Sequence, residues 1–311
     1  MRRGGFSMVK VGMYPMKSSQ YSDEECLRII RSVGFDFVCL GMRKIADGGL
    51  GDILKACEKL DLPVDNIHLT GSGTTDIWED GQAGEDVTAR YCREIEFCSS
   101  MDIHVGITHV TWGHKPVCPV SETGLSRFER IAECAAKNDF LLALENSVFP
   151  GHLYAVMDRL ADSPNIGFCF DSGHRNAFAP TEDFLGRFGS RLAATHLQDN
   201  NGKSDLHVMP FDGCAPWQEN AKSLAATRLG SSRITAEVSG DPLKKMPGLS
   251  LEEIARVISP MAVAGDEKIV HIYDGAVTFY EDFSYTQKIE RLYAAMKKVA
   301  GMIEEAGKNN D

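Results

Sequence analysis

Phe168-Cys169-Phe170-Asp171-Ser172-Gly173-His174 joins a short apolar run to a carboxylate, two small residues and a histidine. An apolar run of that length, bounded by Ser and Gly, reads as a fully buried strand, and Asp171 stands where the strand ends. The same grammar recurs in five other places: Asn66-Ile67-His68-Leu69-Thr70-Gly71, Ile107-Thr108-His109-Val110, Leu142-Ala143-Leu144-Glu145-Asn146, Ala194-Thr195-His196-Leu197-Gln198-Asp199 and Thr235-Ala236-Glu237-Val238. Each closes an apolar strand on a histidine or a carboxylate.

Eight strands are expected in all, at 9–13, 35–40, 64–69, 103–110, 140–144, 166–170, 192–197 and 234–238. Segments with helical spacing lie between them, at 49–60, 85–100, 124–138, 151–161, 181–188 and 216–229. Ser22-Asp23-Glu24-Glu25, Ser250-Leu251-Glu252-Glu253 and Ser284-Tyr285-Thr286-Gln287 have capping-box spacing and open three further helices. Eight strands alternating with helices predict an α/β fold, a single-domain (β/α)8 TIM barrel over 9–305 with an extended C-terminal region. An open dinucleotide-binding sheet would want a glycine-rich turn after its first strand; Gly71-Ser72-Gly73 follows the third and lacks the last glycine. Residues 241–282 exceed what a barrel loop needs, and 268–280 alternates like a hairpin. Three readings stay open for this insertion: a lid, an oligomer contact that would make the protein a homo-oligomer, or a decorated last helix.

The 311 residues are 43% hydrophobic and 25% charged, the composition of a folded globular chain. A net charge of −11 repels phosphate backbones and anionic bilayers, which disfavours nucleic acid and membrane partners. Nine cysteines without a C-x-x-C pair read as reduced thiols, and no apolar stretch reaches spanning length. The apolar run of a signal peptide is missing behind Arg2 and Arg3, so a cytoplasmic protein is expected.

In a parallel barrel every strand's carboxyl end lies on one rim, so His68, His109, Glu145, Asp171, His196 and Glu237 can converge. Three buried carboxylates repel one another unless a positive group sits among them, and a divalent cation in a mixed oxygen and nitrogen shell does that directly. Arginines and lysines are scarce beside these motifs, Arg175 and Lys203 being the exceptions. His104, His114, His152 and His271 show no such setting and read as ordinary histidines.

These motifs, with Asp205-Leu206-His207 leading into Pro210-Phe211-Asp212-Gly213, resemble the xylose-isomerase-like barrels, which include sugar isomerases and epimerases, inosose dehydratases and endonuclease IV. The resemblance runs from Val9 to about Gly240. It implies one divalent metal, Mn²⁺ or Zn²⁺ ahead of Mg²⁺ or Co²⁺, held by Glu145, Asp171, His196 and Glu237. It also implies that Glu145 and Glu237 act as acid and base on opposite sides of a substrate carbon, and that His174 contacts substrate oxygens. The expected activity is isomerisation or epimerisation of a sugar, polyol or sugar phosphate through an enediolate; dehydration of a keto-polyol would use the same parts. Endonuclease IV holds three zinc ions with nine ligands, and His68, His109, Glu145, Asp171, His174, His196, Asp205, His207 and Glu237 match their types in order. Cleavage of abasic DNA is therefore the second expectation, although His68, His109, His174, Asp205 and His207 serve equally as substrate-binding groups. Arg175 and Lys203 are weaker substrate-binding candidates, and a non-catalytic sugar-binding barrel is a third reading.

Overall fold

The computed structural model describes residues 8–42, 49–113, 118–239 and 283–308. Eight strands, β1 (Lys10–Met13), β2 (Phe37–Gly41), β3 (Val64–His68), β4 (Val105–His109), β5 (Leu141–Glu145), β6 (Ile166–Asp171), β7 (Leu192–His196) and β8 (Arg233–Ala236), form one sheet. Their order is β7-β6-β5-β4-β3-β2-β1-β8, every pairing is parallel, and each strand falls where the apolar runs predict it. The ring nearly closes between β7 and β8 just past the end of β7: Leu197 N donates to Thr235 O at 2.8 Å and Glu237 N to Leu197 O at 3.2 Å. That closure carries Glu237 to the same rim as His196.

Helices α1 (Asp23–Val33), α2 (Leu50–Lys59), α3 (Gln82–Ser100), α4 (Glu122–Lys137), α5 (Pro150–Arg159), α6 (Ser172–Phe178), α7 (Phe184–Phe188), α8 (Trp217–Ala225) and α9 (Tyr285–Lys308) follow the strands. The capping box at α1 is complete, Glu25 N donating to Ser22 Oγ and Ser22 N to the Glu25 carboxylate. Ser284 and Gln287 make the same reciprocal pair before α9. Helix α6 is the one that hydrophobic periodicity does not announce, because it is a short turn started by a carboxylate cap rather than by an apolar stripe. The helix expected after Ser250, the alternation at 268–280 and the insertion 241–282 lie outside the described residues. Among the described residues no helix is long and apolar enough to cross a membrane.

The interior of the barrel explains why the rim is polar. Ile107, Ala143, Cys169, Ala193 and Ala194 form a small apolar cluster separate from the larger core between sheet and helices. Strand side chains alternate with period two, so the residues two steps onward share the inward face: His109, Glu145, Asp171 and His196. Below them Gly12 leaves room for the Phe37 ring, since a Cβ at Gly12 would lie 2.0 Å from it. Two register slips adjust the rim. Pairing skips from Val38–Val64 to Cys39–Asn66, which leaves Asp65 as an extra residue in β3, and from Phe168–Leu192 to Cys169–Ala194 in β7.

Candidate metal centre

Glu145, fully buried, is the hub of the rim. His68 Nε2 and His109 Nε2 lie 3.3 and 3.1 Å from its Oε2, while His174 Nδ1 and His196 Nδ1 lie 3.2 and 3.1 Å from its Oε1. Neither oxygen has an aligned hydrogen-bond partner, nor does His196 Nδ1. Orphaned buried donors and acceptors are rare in native proteins, and here they point at shared space. Among the described residues four sets of ligand atoms lie close enough to hold an ion: Glu145, Asp171, His196 and Glu237; Glu145, Cys169 and His196; His68, His109 and Glu145; and His174, Asp205 and His207. Every strand-end residue expected to converge does so, and Asp205 and His207 join them from the loop after β7.

Local structure holds this arrangement. Asp171 caps α6, its Oδ1 accepting from His174 N at 2.6 Å, so strand end and helix start place a carboxylate and an imidazole one turn apart. Asn146 staples the ends of β5 and β6: its Nδ2 donates to Asp171 O and its Oδ1 accepts from Asp171 N, both at 2.8 Å. Gln198 Nε2 donates to Asp205 Oδ1 at 2.8 Å, and Gln198 Oε1 accepts from His207 N at 3.1 Å. The loop that carries Asp205 and His207 is anchored by buried Asp199, which accepts from Ala215 N, Phe211 N and Trp217 Nε1.

The second nitrogen of each imidazole decides what the first can do. His68 Nδ1 meets Leu69 O at 2.7 Å, His174 Nδ1 meets Asn146 O at 2.9 Å and His207 Nδ1 meets Glu237 O at 3.0 Å. A carbonyl only accepts, so these Nδ1 atoms carry hydrogen, which leaves Nε2 of each ring as the nitrogen that can ligate an ion once it has lost its proton. This donor set fits a divalent cation.

Electrostatics agree with that fit. Burial alone would raise the Glu145 carboxyl, but the imidazoles of His196 and His109 outweigh it and hold it well below its ordinary value. Burial likewise works against the ionised form of Asp205, and His207 and His174 reverse it to well below the usual range. Burial would lower both His174 and His196, yet Asp171 and Asp205 raise the first, and Glu145 and Glu237 the second, well above 6.5. Burial pushes Asp171 up to about 7, with His174 opposing and Glu145 and Glu237 adding to the rise. Cys169, beneath Glu145 and His196, is pushed up by burial to about 12 and stays a thiol.

A cavity of about 610 Å³ opens above the cluster, walled by Tyr14, His68, His109, Trp112, His174 and Glu237 among others. Among the described residues no lysine or arginine lines it. Arg175 donates from Nη1 to Asn220 Oδ1 at 2.9 Å and pairs with Glu219, and Lys203 is exposed; neither lines the cavity. His152 packs edge-on against Trp78, and His104 meets Asp139 O at the surface. His114 and His271 lie outside the described residues. Sequence reasoning missed Tyr14, Asn66, Asn146 and Gln198 as supports, and Trp112, whose ring stacks on His109 with centroids 5.5 Å apart. Asn146 and Gln198 had a signal, since each follows a ligand within its motif; the others had none.

The family model for xylose isomerase-like TIM barrels matches residues 27–258. An uncharacterised protein of Sinorhizobium fredii is 43% identical over 76 residues, and that match covers 24% of each chain, so it spans about a quarter of the relative's length. Among solved structures, an L-ribulose 3-epimerase superposes with a TM-score of 0.67 at 16% identity, covering 97% of both chains. A D-psicose 3-epimerase from Clostridium cellulolyticum H10, solved with D-tagatose, gives 0.61 at 15% identity, covering 88% of this chain and 98% of that one. Such distant likeness establishes the shared fold. With the eight-stranded parallel ring and a family match over well more than half its length, the chain belongs to the xylose isomerase-like TIM barrel family.

Proposed function

We propose that the protein is a divalent-metal-dependent isomerase or epimerase of a sugar or polyol, acting by proton transfer through an enediolate. One observation carries this reading: the orphaned ligand atoms of Glu145 and His196 lie against His68, His109, His174 and Glu237, which line a cavity where, among the described residues, no lysine or arginine stands. A hydroxyl-rich neutral ligand suits such walls, whereas a sugar phosphate would want a lysine or arginine there. The epimerase structures that share the fold support the substrate class.

Glu145, Asp171, His196 and Glu237 would hold the cation, which when bound stabilises negative charge developing on substrate oxygens. Glu237 lies on the cavity wall, with its side chain 24% exposed, and in this reading takes the proton from a carbon beside a carbonyl. Glu145 is the partner on the other side, kept anionic by the imidazoles around it. His68, His109 and His174 offer hydrogen bonds to the remaining hydroxyls.

The test is solvent-deuterium exchange followed by NMR over a panel of ketoses and inososes with Mn²⁺ or Zn²⁺. Deuterium entering a carbon next to the carbonyl is expected; no exchange with any of them overturns the reading. A second reading, hydrolysis of a phosphodiester at abasic DNA, is favoured by a further ligand set, in which His68 and His109 share Glu145 with the first, and by the neighbouring set of His174, Asp205 and His207. It expects three ions per chain, cleavage of an abasic duplex and binding that collapses with salt.

A further inference from the structure

His196 rests one ring nitrogen on a side-chain hydroxyl, where His68, His174 and His207 each rest theirs on a backbone carbonyl. Its Nδ1 faces Glu145 Oε1 and Glu237 Oε2 at 3.1 and 3.2 Å, and its Nε2 lies 3.1 Å from the hydroxyl of half-buried Tyr14. A hydroxyl can accept or donate, so Tyr14 alone does not determine which nitrogen carries the proton. The groups behind it do. Tyr14 Oη donates to Asn66 Oδ1 at 2.9 Å; Asn66 Nδ2 donates to Asp65 Oδ2 at 3.0 Å; Arg233 Nε lies 3.1 Å from Asp65 Oδ1.

An ionised carboxylate only accepts, which turns the Asn66 amide with its oxygen toward Tyr14. The Tyr14 proton is then committed to Asn66, and its oxygen can only accept from His196 Nε2–H. We infer that the chain Asp65–Asn66–Tyr14 is a positioning device that fixes the Nε2–H tautomer of His196 and thereby directs its Nδ1 lone pair at the metal position. The slip that makes Asp65 an extra residue in β3 is what sets its carboxylate beside the Asn66 amide. This inference rests on the metal-centre reading proposed above and adds to it Asp65 and Asn66, which do not line the cavity, and a positioning role for Tyr14, which does.

The experiment uses full-length protein loaded with Zn²⁺, a diamagnetic probe, and long-range ¹H–¹⁵N correlation of the His196 ring. The expected spectrum shows hydrogen on Nε2 and zinc on Nδ1. Tyr14→Phe keeps the ring but removes the acceptor, and should weaken Zn²⁺ binding about 10–100-fold while the metal-free protein unfolds at nearly the wild-type temperature. Asn66→Leu, which frees the Tyr14 proton to turn toward Nε2, should weaken binding in the same direction. Zinc on Nε2 in the wild type, or unchanged affinity and tautomer in Tyr14→Phe, overturns the inference while the metal reading stands. Failure of the wild type to bind Zn²⁺ at all takes the metal reading down with it.

Discussion

His196 Nδ1 and Glu145 Oε1 are 3.1 Å apart inside the barrel, and neither atom has an aligned hydrogen-bond partner. Two buried polar atoms so close and so badly aligned would normally rotate into a bond, because leaving each unmade costs about 1–3 kcal/mol. Their carriers are held by other contacts, His196 by Tyr14 and Glu145 by the end of β5, so the pair aims at a common third point.

Glu237→Gln removes the proposed proton acceptor while keeping an oxygen toward the ion. Turnover on the responsive sugar should fall about 10²–10⁴-fold with KM little changed. Glu145→Gln should instead lower the metal content per chain, read by elemental analysis. Full turnover in Glu237→Gln would remove it from the proton-transfer step.

Metal binding should release protons and strengthen as pH rises. His174 and His196 lie well above 6.5 in the metal-free protein, so a cation competes with bound protons even at neutral pH. Their contribution to metal-free stability is present at low pH and fades as pH climbs through those raised values. Calorimetry in buffers of different ionisation enthalpy should give a positive proton release near pH 7; no buffer dependence would contradict it.

Gly173→Ala should damage the centre from outside it. A Cβ there would lie 2.2 Å from Gln198 Cδ, and Gln198 is tied to Asp205 and His207. Overpacking of this kind costs about 1–3 kcal/mol, visible as a lowered thermal midpoint together with weaker metal binding. Wild-type values for both would show that Gln198 has room to move.

Asp199→Ala should loosen the loop that delivers Asp205 and His207. It strips the acceptor from Trp217 Nε1 and from the backbone N–H groups of Phe211 and Ala215. At about 1 kcal/mol or more for each donor left unpaired, a loss of about 3 kcal/mol in chemical denaturation is expected. Addition of metal should recover part of it by mass action.

Much of this was legible in the chain itself. Strand positions and the metal-competent residue at six of the strand ends follow from short apolar runs and period-two alternation, which are local properties. Helix α6 escaped because a cap on Asp171, not an apolar stripe, starts it. Arg175 looked available beside His174 and is instead engaged by Glu219 and Asn220, more than forty residues further on.

The sequence by itself determined the alternation of buried strands and helices, the parallel ring it builds, and the acidic and imidazole groups at one rim, because backbone periodicity and burial are written in neighbouring residues. Tertiary structure alone decided which nitrogen of each ring turns inward and which residues support it. Hydrogen-bond direction there depends on partners such as Tyr14, Asn66 and His196, which meet only after the barrel has formed.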